Sequence, residues 1–132
     1  MLSTQSRNNP NAADSVDNRP RFGIGHVSVP ANDIDRMATF YSDIGMRLVV
    51  NMGRAAIVEL RGGTHIVFHK GNGGTSSLDL MVDDIDETWE LLQEVGATPG
   101  PIRRGSPHDQ FLATDPDGNT LVINSSHAMG PV

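Results

Sequence analysis

Side chains able to bind a metal ion or form hydrogen bonds recur at alternate positions of the predicted strands. Successive residues of a strand point to opposite faces of its sheet, so residues an even number apart share a face. A buried sheet face is normally apolar, so a polar face rich in imidazole predicts a wet cavity that binds a small molecule or a divalent ion. The residues predicted to share this face are His26, Ser28, His65, His69, Asp79 and Asn124.

A further histidine, His108, lies in a predicted loop before the penultimate strand, in the segment RRGSPHDQFLATD. Gly105 and Pro107 break regular structure there, which places His108 at the rim of the cavity. It is either a ligand contact or an ordinary surface histidine. The adjacent Arg103 and Arg104 are expected to be exposed on the same loop. His127 follows the last predicted strand and is expected to be a tail residue.

The elements that position these side chains occur twice along the chain. In the first copy, a strand over residues 24–29 ends at Pro30 and precedes a helix with apolar residues at three- and four-residue steps. In the second copy, a strand over residues 78–82 precedes a similar helix. Asp33 and Asp84 can cap the two helices, and Gly45 and Gly96 can end them. Both pairs are separated by 51 residues, which indicates an internal repeat.

Each copy continues with predicted strands, at residues 47–51, 55–60 and 65–69 in the first and at 110–114 and 120–124 in the second. The remaining stretch, residues 98–103, is a weaker strand because of its prolines. Each copy is therefore predicted to be a β-α-β-β-β module. The predicted fold class is α+β, with two tandem modules that form a curved mixed sheet around a concave cavity and helices on the convex side.

The predicted domain organisation follows from this repeat. A single domain spans residues 22–125 and consists of module one (22–70), a glycine-rich linker (71–76) and module two (77–125). Residues 1–21 contain few large apolar residues and are expected to form a disordered tail. Residues 126–132 form a C-terminal tail.

Composition excludes several classes of protein. The chain has no cysteine, so thiolate metal sites, disulfides and cysteine nucleophiles are excluded. Its formal charge is −6 and it has no basic run, which argues against a nucleic-acid partner. No apolar run is long enough for a membrane span, and the N-terminal residues lack a secretory core. We therefore expect a cytoplasmic protein.

Three segments in a duplicated order resemble one known superfamily. GHVSVPANDIDRMATFYSDIGM, LMVDDIDETWELLQEVGA and DPDGNTLVI are similar to the vicinal-oxygen-chelate superfamily, which includes glyoxalase I, bleomycin-resistance proteins, fosfomycin-resistance enzymes and extradiol dioxygenases. The resemblance extends from Phe22 to about Asn124. It implies the tandem-module fold and a homodimer.

Members of this superfamily typically form a metal site from the first and last strands of each module. The resemblance assigns the four ligand positions to His26, Val67, Ser77 and Val122, and only His26 is a metal-ligand type. The usual metal site is therefore predicted to be incomplete.

Two functions are the main candidates at this point, and the sequence also leaves open a degenerate family member that acts mainly as a partner subunit. The first is a protein that binds a small polar molecule in the sheet cavity without a metal. The alternative is a lyase, isomerase or dioxygenase of glyoxalase type that uses one divalent metal ion. In that case His26 and either His65 or His69 would be ligands, with Asp79 as a candidate third.

Overall fold

The structure is a computed structural model that describes residues 16–132 of the chain. Residues 1–15 of the predicted tail therefore lie outside the described residues. In chain order the elements are β1 (His26–Ala31), α1 (Ile34–Asp43), β2 (Arg47–Asn51), β3 (Ala55–Glu59), β4 (His65–Lys70), β5 (Ser77–Val82), α2 (Ile85–Glu94), β6 (Gln110–Thr114) and β7 (Thr120–Ser125). No helix among these residues is long and apolar enough to span a bilayer.

The strands form two mixed sheets, one for each copy of the repeat. Module one contains β1 to β4 in the order β1-β4-β3-β2, and module two contains β5 to β7 in the order β5-β7-β6. In both modules the first strand pairs in parallel with the last, and the remaining pairs are antiparallel. The predicted α+β fold of tandem modules is confirmed.

The helices form where the repeat predicts them. The side chain of Asp33 accepts a hydrogen bond from the backbone N–H of Arg36, and that of Asp84 accepts one from Glu87. These caps satisfy amide groups that have no partner within the helix. Gly45 and Gly96 follow the helices with φ of 114° and 79°, a conformation that favours glycine.

Two strand predictions differ from the structure. The first strand occupies His26–Ala31 and so continues through Pro30, where the sequence predicted it to end. The carbonyls of Gly25 and Ala31 point towards β4, so the position of Pro30 faces the unpaired edge, where its missing N–H has no consequence. In module two, residues 98–103 form no strand, but a single bridge joins Arg103 to Gln110.

A buried carboxylate, Asp115, connects the two modules. It follows β6 and is 4% exposed. Its oxygens accept hydrogen bonds from the Tyr41 hydroxyl of α1 at 2.6 Å, the Asn119 side-chain amide at 2.9 Å, and the backbone N–H groups of Asp117 and Asn119 at 3.0 and 2.9 Å. The Tyr41 ring also stacks on Phe68 of β4, with ring centroids 5.1 Å apart. The hydrogen bonds of Asp115 thus join the last hairpin to the core of module one.

The glycine-rich linker is bound to the same hairpin. Asn119 accepts hydrogen bonds from the backbone N–H groups of Gly74 and Ser76. A Cβ atom at Gly73 would lie 2.1 Å from a carboxylate oxygen of Asp117. Gly74 has φ of 100°, and a Cβ atom there would lie 2.6 Å from the backbone oxygen of Asp117. Glycine is therefore required at position 74, because both the backbone conformation and the close hairpin exclude a side chain.

Tyr41 is the only tyrosine in the chain, so its ionisation can be followed by ultraviolet absorbance. Burial, and next the hydrogen bond to Asp115, raise the pKa of Tyr41 above its ordinary value of 10.0. Above pH 10 the unfolded chain loses this proton while the folded protein retains it, so stability is complete below pH 10 and falls above it. We expect the free energy of unfolding to fall by about 1.4 kcal/mol per pH unit in that range.

The Tyr41→Phe variant is the matched comparison. It should lose this alkaline slope and should be less stable at neutral pH by about 1–3 kcal/mol, because Asp115 loses a donor. Denaturant unfolding at several pH values measures both effects. Equal alkaline slopes in the two proteins would contradict the burial of the phenol.

Candidate functional site

Each sheet has one face that the helices leave uncovered. The alternate residues of the strands, such as Ile66 and Phe68, are buried in the core, so their neighbours point the other way. We call these sides the open face of module one and the open face of module two. The former carries His26, Ser28, Ile57, Glu59, His65, Val67 and His69, and the latter carries Ser77, Asp79, Met81, Leu112, Val122 and Asn124.

A straight row of charged and imidazole side chains crosses the open face of module one. The register pairs His26 with His65, His65 with Glu59, and Glu59 with Arg47. The ring centroids of His26 and His65 are 5.6 Å apart in an edge-to-face arrangement. Glu59 lies 2.8 Å from Nε2 of His65 through one oxygen and 2.9 Å from Nη1 of Arg47 through the other. The predicted pair His26 and His65 therefore lies together. We call these four residues the imidazole row.

Glu59 fixes the electrostatics of the imidazole row. The hydrogen bond from His65, and to a lesser extent the charge of Arg47, lower the pKa of Glu59 below its ordinary value. Ionised Glu59 is an acceptor, so Nε2 of His65 carries the proton between them. Nδ1 of His65 forms no hydrogen bond with any residue from 16 to 132. It is thus left as the atom of this ring that can contact a ligand.

The equivalent row of module two contains hydroxyl groups. Ser77 pairs with Thr120, and Thr120 pairs with Thr114 across β5, β7 and β6. These three residues are exposed and uncharged. The two modules therefore share the same strand pairing, but the side chains in the first cross-strand row differ in their chemistry.

A chain of hydrogen bonds fixes the second polar group of module two. Gln110 donates its amide to Asn124 at 2.9 Å, and Asn124 donates its amide to Asp79 at 2.5 Å. Asn124 is only 2% exposed, whereas Asp79 is exposed. Gln110 thus orients Asn124, and Asn124 in turn donates to the Asp79 carboxylate, which acts as an acceptor.

The remaining predicted residues lie apart from these two groups. His69 is four residues beyond His65 on β4, about 13 Å along the strand, and pairs with Ala55. His108 places its ring 5.5 Å from that of His127, and its Nδ1 atom is buried without a partner. Between residues 16 and 132, no hydrogen bond or ring contact joins His108 to the imidazole row.

The loop that carries His108 is held by Arg104. Its guanidinium lies 2.6 Å from Asp86 of α2 and 3.1 Å from Asp109. Asp109 also accepts from the backbone N–H of Gly105, and this bond is the main reason that the pKa of Asp109 is lowered. Arg104 therefore orders the loop by pairing with these two carboxylates.

A cavity of about 590 Å³ separates the two modules near the ends of β3 and β5. Glu59 and Asp79 both line it, together with Arg61 and Asp83, which form an ion pair of 2.7 Å between the modules. We call this cavity the inter-module groove. Its apolar walls include Met46, Leu60, Leu80, Val82, Leu92 and Ile123.

The side chains of the open faces do not fit a divalent metal ion. His26 and His65 supply two imidazoles, but the nearby carboxylate of Glu59 already receives hydrogen bonds from His65 and Arg47. Within residues 16–132, no group of three or more metal-ligand side chains is placed to hold an ion. Val67, Ser77 and Val122 occupy the other positions that the resemblance assigned to ligands.

Three residues of these networks were not identified from the sequence. Glu59 is on the open face by strand alternation and is separated from His65 by a short turn. The same alternation and turn could have predicted their pairing. Arg47 and Gln110 required the actual register, because a bulge in β2 and the loop before β6 obscure it.

A comparison with protein families decides the relationship. The family model described as the Glyoxalase/Bleomycin resistance protein/Dioxygenase superfamily matches residues 23–123. The chain belongs to this superfamily. The match confirms the resemblance seen in the three duplicated segments. A search of curated proteins found no match.

Solved structures of the superfamily share this fold. TnmS3, an antibiotic binding protein from Streptomyces sp. CB03234, is 27% identical over 79% of this chain and 95% of its own, with a TM-score of 0.72. Lactoylglutathione lyase from Agrobacterium tumefaciens is 18% identical over 86% of this chain and 100% of its own, with a TM-score of 0.70. The bleomycin resistance determinant encoded on transposon Tn5 is 21% identical over 81% and 100%, with a TM-score of 0.66.

Replacing Asn124 tests the hydrogen-bonded chain of module two. Asn124→Leu leaves both Gln110 and Asp79 without their partner, so we expect a loss of about 1–3 kcal/mol in the free energy of unfolding. Thr120→Val removes a polar group from an exposed position of the same strand and should change stability little. Urea unfolding of the three proteins measures the difference. Equal losses in both variants would show that the hydrogen bonds from Gln110 to Asn124 and from Asn124 to Asp79 do not contribute to stability.

Proposed function

We propose that the protein binds a small polar molecule on the open faces of its sheets without a metal ion. The strongest support is the imidazole row, in which Arg47 holds Glu59 and Glu59 holds His65 while one nitrogen of the His65 ring stays free. Structural histidines usually have all their polar atoms satisfied by the protein. A positioned ring with an unused nitrogen on an uncovered face is suited to a ligand.

The second module supplies a complementary set of groups. Asp79 and the hydroxyl groups of Ser77, Thr120 and Thr114 are exposed on its open face. Polar groups of this kind orient a ligand through hydrogen bonds. The predicted ligand-binding residues His26, His65, Asp79 and Asn124 thus remain our candidates, with His69 and His108 more peripheral.

The similarity to TnmS3 supports a binding role. That protein is an antibiotic binding protein, and its 27% identity covers most of both chains. The alternative of a metal-dependent lyase, isomerase or dioxygenase is less favoured, because the side chains on the open faces offer only two imidazoles at one point. Both a binding protein and a lyase have this fold, so the arrangement of possible metal-ligand side chains is what distinguishes metal-free binding from metal-dependent catalysis.

Ligand screening in the presence of a chelator tests this proposal. We expect at least one small polar metabolite or antibiotic to raise the melting temperature with EDTA present. Its affinity should fall about tenfold or more in His65→Ala, as expected for the loss of one hydrogen bond to a charged or positioned group. His127→Ala removes an exposed histidine outside the open faces and should bind normally.

Two results would count against metal-free binding at the imidazole row. Stabilisation that appears only after addition of Ni²⁺, Zn²⁺, Mn²⁺ or Fe²⁺ would favour the metal-dependent alternative. Equal affinities of wild type and His65→Ala for every ligand found would place binding away from the imidazole row.

We also propose that the protein is a homodimer in which a second copy covers the apolar side chains of the open faces and leaves their polar groups to the ligand. Apolar side chains lie beside the polar ones on these faces, and Met81 and Leu112 are 37% and 51% exposed. In addition, β1 and β5 each pair with only one strand of the described chain. Uncovered apolar side chains and strand edges are typical of surfaces that associate.

A charge on the open face should disrupt this association. Leu112→Glu is expected to shift the protein from dimer to monomer in analytical ultracentrifugation, while its circular dichroism stays unchanged. Met129→Glu introduces the same charge at a fully exposed tail residue and should remain dimeric. A monomeric wild type at micromolar concentration would refute the dimer.

A further inference from the structure

The inter-module groove has the size and composition of a small-molecule site. Its volume of about 590 Å³ is within the range of ligand pockets. Met46 and Leu60 of module one and Leu80, Met81 and Val82 of module two, all partly or fully exposed, form much of its wall. A ligand that fills such a groove gains free energy by burying an apolar body.

Charge in the groove is unevenly compensated. Its polar wall contains the carboxylates of Glu59, Asp79 and Asp83 and the single cation of Arg61. Glu59 is already paired with Arg47 and His65, and Asp83 is paired with Arg61. Within the described part of the chain, no cationic side chain lies in ion-pair range of Asp79.

The hydrogen bonds of Asp79 leave one of its oxygens available. Oδ1 accepts from Asn124, and Oδ2 has no hydrogen-bond partner among residues 16–132. The carboxylate of Asp79 can only accept, so the Asn124 amide nitrogen points to it and the Asn124 oxygen receives the Gln110 amide. Asp79 is therefore presented to the groove as a permanent acceptor with one uncompensated charge.

We propose that the inter-module groove binds an organic amine, with its apolar body against Leu60, Leu80 and Val82 and its protonated nitrogen on Asp79. This inference deepens the proposed small-molecule role and rests on it. A cation is favoured over a neutral donor because the carboxylate is uncompensated and the whole chain carries a formal charge of −6. A carboxylate ligand would be repelled by the same wall.

Three probes with the same apolar chain test the head group. Hexylamine, hexan-1-ol and hexanoate differ only at the end that would meet Asp79. We expect hexylamine to bind roughly tenfold more tightly than hexan-1-ol, the value of one hydrogen bond to a charged group, and hexanoate to bind least. Amide chemical-shift changes in two-dimensional NMR should cluster at residues 44–46, 60–62 and 79–83.

Two aspartate variants provide the matched control. Asp79→Asn keeps the shape of the side chain and the acceptor for Asn124 but removes the charge, so the preference for hexylamine should disappear. Asp43→Asn removes the same charge from an exposed residue outside the groove and should keep the preference.

Several outcomes would overturn the inference. Equal affinity for the three probes, shift changes outside the groove, or an unchanged preference in Asp79→Asn would each refute an amine site. Shifts at these residues that follow protein concentration without any probe would show that a second copy occupies the groove. If hexylamine fails while another polar ligand still binds in a His65-dependent manner, the amine site is wrong and the proposed function stands.

Discussion

The hydrogen bonds of the buried Asp115 carboxylate hold the two modules together. A carboxylate removed from water is strongly destabilising unless donors surround it, and Tyr41, Asn119 and two backbone amides supply those donors. Because Tyr41 belongs to the helix of module one, this network can be completed only when both modules are docked. The linker is bound through Asn119 to the same point. The relative position of the two sheets, and hence the shape of the groove between them, depends on this one charge.

The duplicated architecture separates stability from recognition. In both modules the residues that face the helices are apolar, whereas the first cross-strand row differs completely. Module one has imidazole, carboxylate and guanidinium groups in that row, and module two has three hydroxyl groups. A single helix on each sheet is enough to form the core. The other face is then available for different chemistry in each copy.

Most of the fold could be predicted from the sequence because repetition reinforced each local signal. The two copies carry the same signals 51 residues apart: a capping aspartate at Asp33 and Asp84, and a helix-ending glycine at Gly45 and Gly96. The strands of both copies also show the same alternation of apolar and polar residues. The site was harder to predict. His26 and His65 were correctly placed on one face, but Glu59 depends on pairing across a turn and Gln110 on the register of an irregular loop. Nothing in the sequence indicated that Asp115 is a buried acceptor that joins the modules, since DPDGN is also an ordinary turn sequence.

The location of the Asp115 network has a consequence for how such proteins diversify. It lies on the helix side of the sheets, so substitutions at Ser77, Thr114 or Thr120 leave its hydrogen bonds intact. Natural selection can therefore change what one module recognises without loss of foldability and without altering the other module. Gly74 is constrained instead, because any side chain there would be strained and would collide with the backbone of Asp117. We expect relatives of this chain to drift rapidly on the open faces and to be nearly invariant at the linker.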